Sequence, residues 1–191
     1  MCDGYKISAA MNTGRLILAP ADPFSAPAST EGLLGILTDL ALAGSPIDSA
    51  RGSYLAGERF LELISFMGCS PHVELEPRPD GGDQFCHLAL IGPLAQPMLM
   101  TGPYTAPPRC PACRGRLEGW QETVTIAGGQ LSCGRCGERF PASRLSWRRS
   151  GGFARIAVEI RNIFPNEAVP VPELMKRLAR DTGEDWTYFY V

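Results

Sequence analysis

Apolar residues recur along this chain with two different periods, and each change of period marks an element. Arg15-Leu16-Ile17-Leu18 predicts a short strand. Pro20 to Pro27 is a proline-rich loop. Ser29 or Thr30 then stands where an N-cap belongs, with Glu31 in the first turn, and Leu33, Leu34, Leu37, Leu40 and Ala41 follow at helical spacing. A helix is expected over about 31–43, stopped by Gly44-Ser45-Pro46. A second is expected over about 54–67, burying Phe60, Leu61, Ile64 and Met67 and capped by Gly68.

The period then shortens. Val73 to Glu76, Gln84 to Gly92 and Pro97 to Thr101 read as three strands of an antiparallel meander. Pro103-Tyr104-Thr105-Ala106-Pro107-Pro108 is a stiff linker. Trp120 to Ile126 alternates, Gly128-Gly129 supplies a turn, and Gln130 to Cys133 returns as a hairpin. Phe140 to Trp147 reads as a third strand there. From Phe153 to Ile160 the alternation is clear: Ala154, Ile156, Val158 and Ile160 face a core, while Arg155, Glu159 and Arg161 face solvent. Pro172 and Glu173 open a helix whose apolar stripe is Leu174, Met175, Leu178 and Ala179, ending at Gly183. Trp186 to Val191 is a last strand, so strand, helix and strand suggest a parallel crossover. The expected fold class is α+β: a mixed sheet with two or three helices and an inserted β unit. Residues 1–105 and 150–191 form the body, and 106–149 the insertion.

Charge separates these two parts. Residues 1–108 carry a net −6, whereas residues 109–155 carry nine arginines and three glutamates, a net +6. The insertion is the basic part of an acidic protein, and such a surface meets either an anionic partner or the protein's own body. A composition 45% apolar fits a globular chain. No charged segment leads into an apolar stretch at the start, and no window approaches the roughly 18 apolar residues of a membrane span. With seven cysteines, two pairs of them at metal spacing, the expectation is a reduced chain in the cytoplasm.

The chemistry lies in those pairs. Cys110-Pro111-Ala112-Cys113 and Cys133-Gly134-Arg135-Cys136 are separated by residues 114–132. Two C-x2-C turns at this distance offer four sulfurs to one metal ion. Pro111 stiffens the first turn, while Gly134 and Gly137 relieve crowding in the second. These residues resemble a zinc ribbon, a small β module with two cysteine knuckles, over about 106–149. Rubredoxins hold iron in similar knuckles, but usually across a longer gap. The resemblance implies one zinc held by Cys110, Cys113, Cys133 and Cys136. Four thiolates leave no coordination position for water or substrate, so the zinc is expected to be structural.

Other residues invite chemistry. Cys69 with His72 and Cys86 with His87 place both histidines near a cysteine outside the ribbon, and together they are candidates for a second metal or thiol site. Adjacent residues on a strand point to opposite faces, which opposes binding by all four. Nucleic-acid-binding ribbons carry arginines, and here Arg109, Arg114, Arg116, Arg135, Arg139, Arg144, Arg148 and Arg149 are available. Arg139, Arg144, Arg148 and Arg149 are the candidates for an anionic partner. No phosphate-binding loop, dinucleotide fingerprint or nucleophile elbow occurs. The leading expectation is a non-catalytic zinc protein acting through a protein partner as an accessory or assembly factor. Two alternatives stand beside it: a nucleic-acid-binding protein using the basic ribbon, and a thiol enzyme or metallochaperone using Cys69 and Cys86 with His72 and His87.

Overall fold

The run Leu16 to Ala19 is apolar without alternation, as a strand buried on both faces requires. In the computed structural model, which describes residues 14–48, 51–67, 73–77, 84–103, 105–164 and 166–191, it becomes the inner strand β1 (Gly14–Pro20). The chain continues through α1 (Thr30–Asp39), β2 (Ala43–Asp48), β3 (Ser53–Ala56), a single-turn helix α2 (Phe60–Leu63), β4 (Ile64–Phe66), β5 (His87–Ile91) and β6 (Met98–Met100). The cysteine-bearing segment follows, with the one-turn helix α3 (Trp120–Thr123), β7 (Gln130–Ser132) and β8 (Arg139–Pro141). The chain closes with β9 (Gly152–Ala154), β10 (Ala157–Ile163), β11 (Ala168–Pro170), α4 (Pro172–Thr182) and β12 (Trp186–Tyr190). The protein is α+β.

Six strands form one sheet in the order β12-β1-β10-β5-β3-β2. All five neighbouring pairs in it are antiparallel. The expected parallel crossover is therefore split: β10 and β12 run the same way, but β1 lies between them and pairs with both. One face of the sheet carries the main core, where Leu16, Leu18, Leu88, Val158 and Ile160 meet Leu33 and Leu37 of α1 and Leu174 and Leu178 of α4. Truncating one of these leucines to alanine would cost about 2–5 kcal/mol. The start of α1 and the end of α4 are set as the sequence foretells. Ser29 accepts the Gly32 N–H at 3.1 Å to cap α1, and Gly183 takes a left-handed φ of 73° after α4.

The second face is covered too. Ile17, Ala19, Ala157 and Phe189 pack there against Met100 and Ala154, which belong to the short pair β6–β9. Glu159, expected to face solvent, is consequently only 1% exposed. Period two assigns faces, but not whether a neighbouring layer covers them. The buried carboxylate is held by two half-exposed arginines: Arg15 Nη1 donates to its Oε1 at 2.7 Å and Arg161 Nε to its Oε2 at 2.6 Å.

Three further expectations are corrected. The helix over 54–67 is replaced by β3, α2 and β4, because Gly57 lies against the chain at Ala41: a Cβ on it would sit 2.2 Å from the Ala41 carbonyl oxygen. Its supposed stripe divides, with Phe60 and Ile64 buried but Leu61 57% and Met67 65% exposed. The first helix stops at Asp39, before Gly44-Ser45-Pro46, because Ala41 turns left-handed and those residues enter β2. The meander is not formed either. Residues 73–77 are not a strand, although Cys86 N–H donates to the Glu74 carbonyl at 2.6 Å, and β6 pairs with β9 rather than β5. Gly68 lies outside the described residues.

The Glu159 cluster makes a direct prediction. Arg15→Ala alone leaves Arg161 in place and should cost about 1 kcal/mol, as partly exposed pairs do. Arg15→Ala with Arg161→Ala strands a buried carboxylate and should cost about 3–5 kcal/mol. Urea unfolding distinguishes the cases, and a double variant no less stable than the single one would show that the arginines do not hold Glu159.

Candidate metal centre

Each C-x2-C turn closes on itself with the same two hydrogen bonds. Arg114 N–H donates to the Cys110 carbonyl at 3.0 Å and Gly137 N–H to the Cys133 carbonyl at 2.8 Å. Cys110 N–H in turn donates to Gly115 and Cys133 N–H to Glu138, both at 2.9 Å. The residue that completes each turn is left-handed: φ is 58° at Arg114 and 74° at Gly137. Gly137 thus serves the role read for it, and Arg114 occupies the equivalent position without glycine's freedom. Gly134 has open space around it and no left-handed φ, so nothing here requires glycine at that position.

The two turns bring all four sulfurs within 4.8 Å of one another. Cys110 and Cys136 are 3.8 Å apart, and Cys113 and Cys133 are 3.7 Å apart. Sulfurs held about 2.3 Å from one tetrahedral zinc would be spaced at about 3.8 Å, whereas a disulfide needs about 2.05 Å. Cys110 and Cys133 are buried, Cys113 half-buried and Cys136 exposed. Protonation is divided unevenly among them. Backbone N–H groups of Cys136 and Arg135 aimed at its sulfur bring the Cys133 thiol down to about 6. At Cys136 the Glu138 N–H pulls downward, but desolvation and the other three sulfurs prevail and push it up to about 12. Cys133 therefore loses its proton easily, whereas Cys136 holds its own, and a bound cation would favour the thiolate there.

Around the sulfurs lies a small core of its own: Trp120, Val124, Ala127, Phe140, Ala142, Leu145 and Trp147, joined by Phe153 of β9. Trp120 and Trp147 meet edge to face at 5.0 Å, and Trp147 meets Phe153 at 6.5 Å. The alternation over Trp120 to Ile126 does not form a strand: burial follows Trp120 and Val124, the first residue of α3 and the residue that caps it, while Ile126 is exposed. The hairpin is β7–β8, in the register Leu131 opposite Phe140. The third strand is shortened to β8 and followed by a 3₁₀ turn, Ala142–Arg144. Entry and exit of the segment are zipped by reciprocal bonds between Arg109 and Ser146, at 2.9 and 3.0 Å.

The remaining candidates are not gathered here. Cys69 and His72 lie outside the described residues. Cys86 is buried in the main core, where desolvation pushes its thiol up to about 12. His87 Nδ1 is 2.9 Å from the Phe85 carbonyl, and its ring packs on Phe85. Among the described residues, the four ribbon cysteines are the sole group of three or more ligand side chains close enough to share an ion.

The arginines are partly regrouped. Arg144 and Arg148 line one cavity of about 680 Å³ with Arg109 and Arg114, two residues that charge counting alone did not single out. Arg139 is exposed on β8 and does not line it. Arg149 packs its guanidinium over the Tyr188 ring, 4.2 Å from the centroid.

A family model described as Trm112p-like protein matches residues 109–143, which span both knuckles and less than half of the chain. No curated protein and no solved structure matches the chain. Family model and sulfur geometry agree on a zinc-ribbon-like segment.

The matching turns can be tested against each other. Gly137→Ala should weaken the segment by about 1–2 kcal/mol, whereas Arg114→Gly should be neutral or stabilising. Thermal unfolding followed by tryptophan fluorescence reads both. Equal losses in the two variants would contradict their shared backbone role.

Proposed function

We propose that the chain is a non-catalytic zinc protein that works by docking a protein partner, as an accessory or assembly factor. Cys110, Cys113, Cys133 and Cys136 hold one zinc ion. The ion is structural and folds residues 106–149 as a unit inserted into a body made of 1–105 and 150–191. The carrying observation is the closed set of four sulfurs at tetrahedral spacing, which leaves a metal no vacant position for chemistry.

Several features support this reading. A segment of this size has too small a core to stand alone, and metal binding supplies the missing folding free energy. The pairing of β6 with β9 on either side of residues 106–149 is consistent with an inserted unit. Among the described residues, no histidine, aspartate or glutamate side chain lines the cavities around the metal segment. The Trm112p-like match falls on the metal-binding segment itself, the part to which an accessory role is assigned.

Metal analysis of the purified protein should find one zinc per chain. Cys136→Ser should lower that content and loosen the packing around Trp120 and Trp147, while far-UV circular dichroism retains the signal of the main sheet. Affinity capture from the native host should recover a partner with the parent chain and lose it with the variant. Full zinc retention by Cys136→Ser would remove the metal assignment. Unchanged capture with an emptied site would remove the docking role while leaving the metal assignment intact.

A further inference from the structure

Arg148 and Arg149 stand in a backbone conformation that arginine disfavours. Their φ angles are 51° and 66°, and Ser150 N–H donates back to the Trp147 carbonyl at 3.0 Å. Left-handed φ at both central residues of a hydrogen-bonded turn is the type I′ geometry, which favours Asn-Gly. Arg114, at 58°, shares the strain. Among the described residues six without glycine's freedom are left-handed, and three of them are these arginines. Strain of this kind persists where the surrounding structure enforces it, and it gathers at functional sites.

The strained arginines converge. Arg114 and Arg148 line the cavity of about 680 Å³ together with Arg109 and Arg144. Arg148 also lines an adjoining cavity of about 460 Å³, where Arg149 joins it. Among the described residues, no acidic side chain lines either cavity. None of these five arginines forms an ion pair among the described residues, although Arg15, Arg59, Arg161, Arg177 and Arg180 all do. Five arginines lining two cavities that share Arg148 make a basic surface, and an anionic ligand would neutralise it.

We propose that Arg109, Arg114, Arg144, Arg148 and Arg149 form a groove for the phosphate backbone of a single nucleic-acid strand, beyond the protein-docking role described above. Arginine forks fit phosphate oxygens bidentately. Two adjoining cavities sharing Arg148 suit a ligand that repeats its charge at intervals, as a strand does. An acidic protein surface fits less well, because specific protein interfaces centre on an apolar patch. Beside its four arginines and Ser146, the larger cavity offers only Cys110 and Pro111.

The experiment is fluorescence anisotropy of a labelled twelve-nucleotide oligouridylate with the metal-loaded, full-length protein over a series of salt concentrations. Binding should weaken with salt at a log–log slope of about −3 to −4, as five phosphate contacts on a single strand give. Arg148→Asn with Arg149→Gly installs the residues that the turn prefers. It should weaken binding at least tenfold while raising the melting temperature, a pairing that a purely structural role does not produce. Arg109→Gln with Arg144→Gln should weaken binding similarly without altering that turn. Arg135→Gln with Arg139→Gln, outside both cavities, should leave affinity unchanged. Zinc content measured on each variant separates lost arginines from a collapsed knuckle. Absence of salt-dependent binding, or equal loss in the Arg135/Arg139 pair, overturns the proposal. Competition by an equally charged oligoglutamate as strong as that by the unlabelled strand would overturn it too, assigning the groove to an acidic protein.

Discussion

Four thiolates within 4.8 Å of one another repel, and a cation shared among them relieves that repulsion. Much else in residues 109–146 follows from that constraint. The two hydrogen-bonded turns aim their sulfurs inward, the hairpin β7–β8 spans the gap between them, and two tryptophans fill what remains. Remove the cation and the buried Cys110 and Cys133 become a poor substitute for a core of ordinary size. The arginine-lined cavities rest on the same support, because Arg109 and Arg114 flank the first turn and Arg144 follows β8.

The burial of Glu159 shows what the short pair β6–β9 does to the sheet beneath it. A six-stranded sheet with helices on one face would ordinarily leave its other face wet, and a glutamate there would be unremarkable. The strands that bracket the insertion instead lie across that face. Phe189 packs so closely beneath β9 that a Cβ on Gly152 would come within 2.8 Å of its ring. The carboxylate then needs partners, and Arg15 and Arg161 supply them from the neighbouring strand and from its own.

What could be read from sequence was what is decided locally. The knuckles were legible because four cysteines at fixed spacing leave few alternatives, and α4 because Pro172, its apolar stripe and Gly183 all agree. The second expected helix failed at Gly57, whose contact with Ala41 is tertiary and leaves no periodic trace. The strand expected over Trp120 to Ile126 failed because positions four apart satisfy alternation and a helical turn equally. The convergence of Arg109 and Arg114 on Arg144 and Arg148 depended on the zipped ends of the segment, and no count of charges contains that information. The left-handed turn at Arg148 and Arg149 was hidden for a related reason: arginine is the last residue that such a turn would announce.

The split crossover bears on how the molecule is made. Strand β1 pairs with β10 on one side and β12 on the other, partners about 140 to 170 residues downstream. Leu16 finds Tyr190 only when the last strand has left the ribosome. The knuckle segment closes over some forty residues and is synthesised before β10 and β12, whereas β2, β3 and β5 precede it. The half of the sheet made of β5, β3 and β2 can therefore pair early, while β1 waits for strands that lie beyond the knuckles.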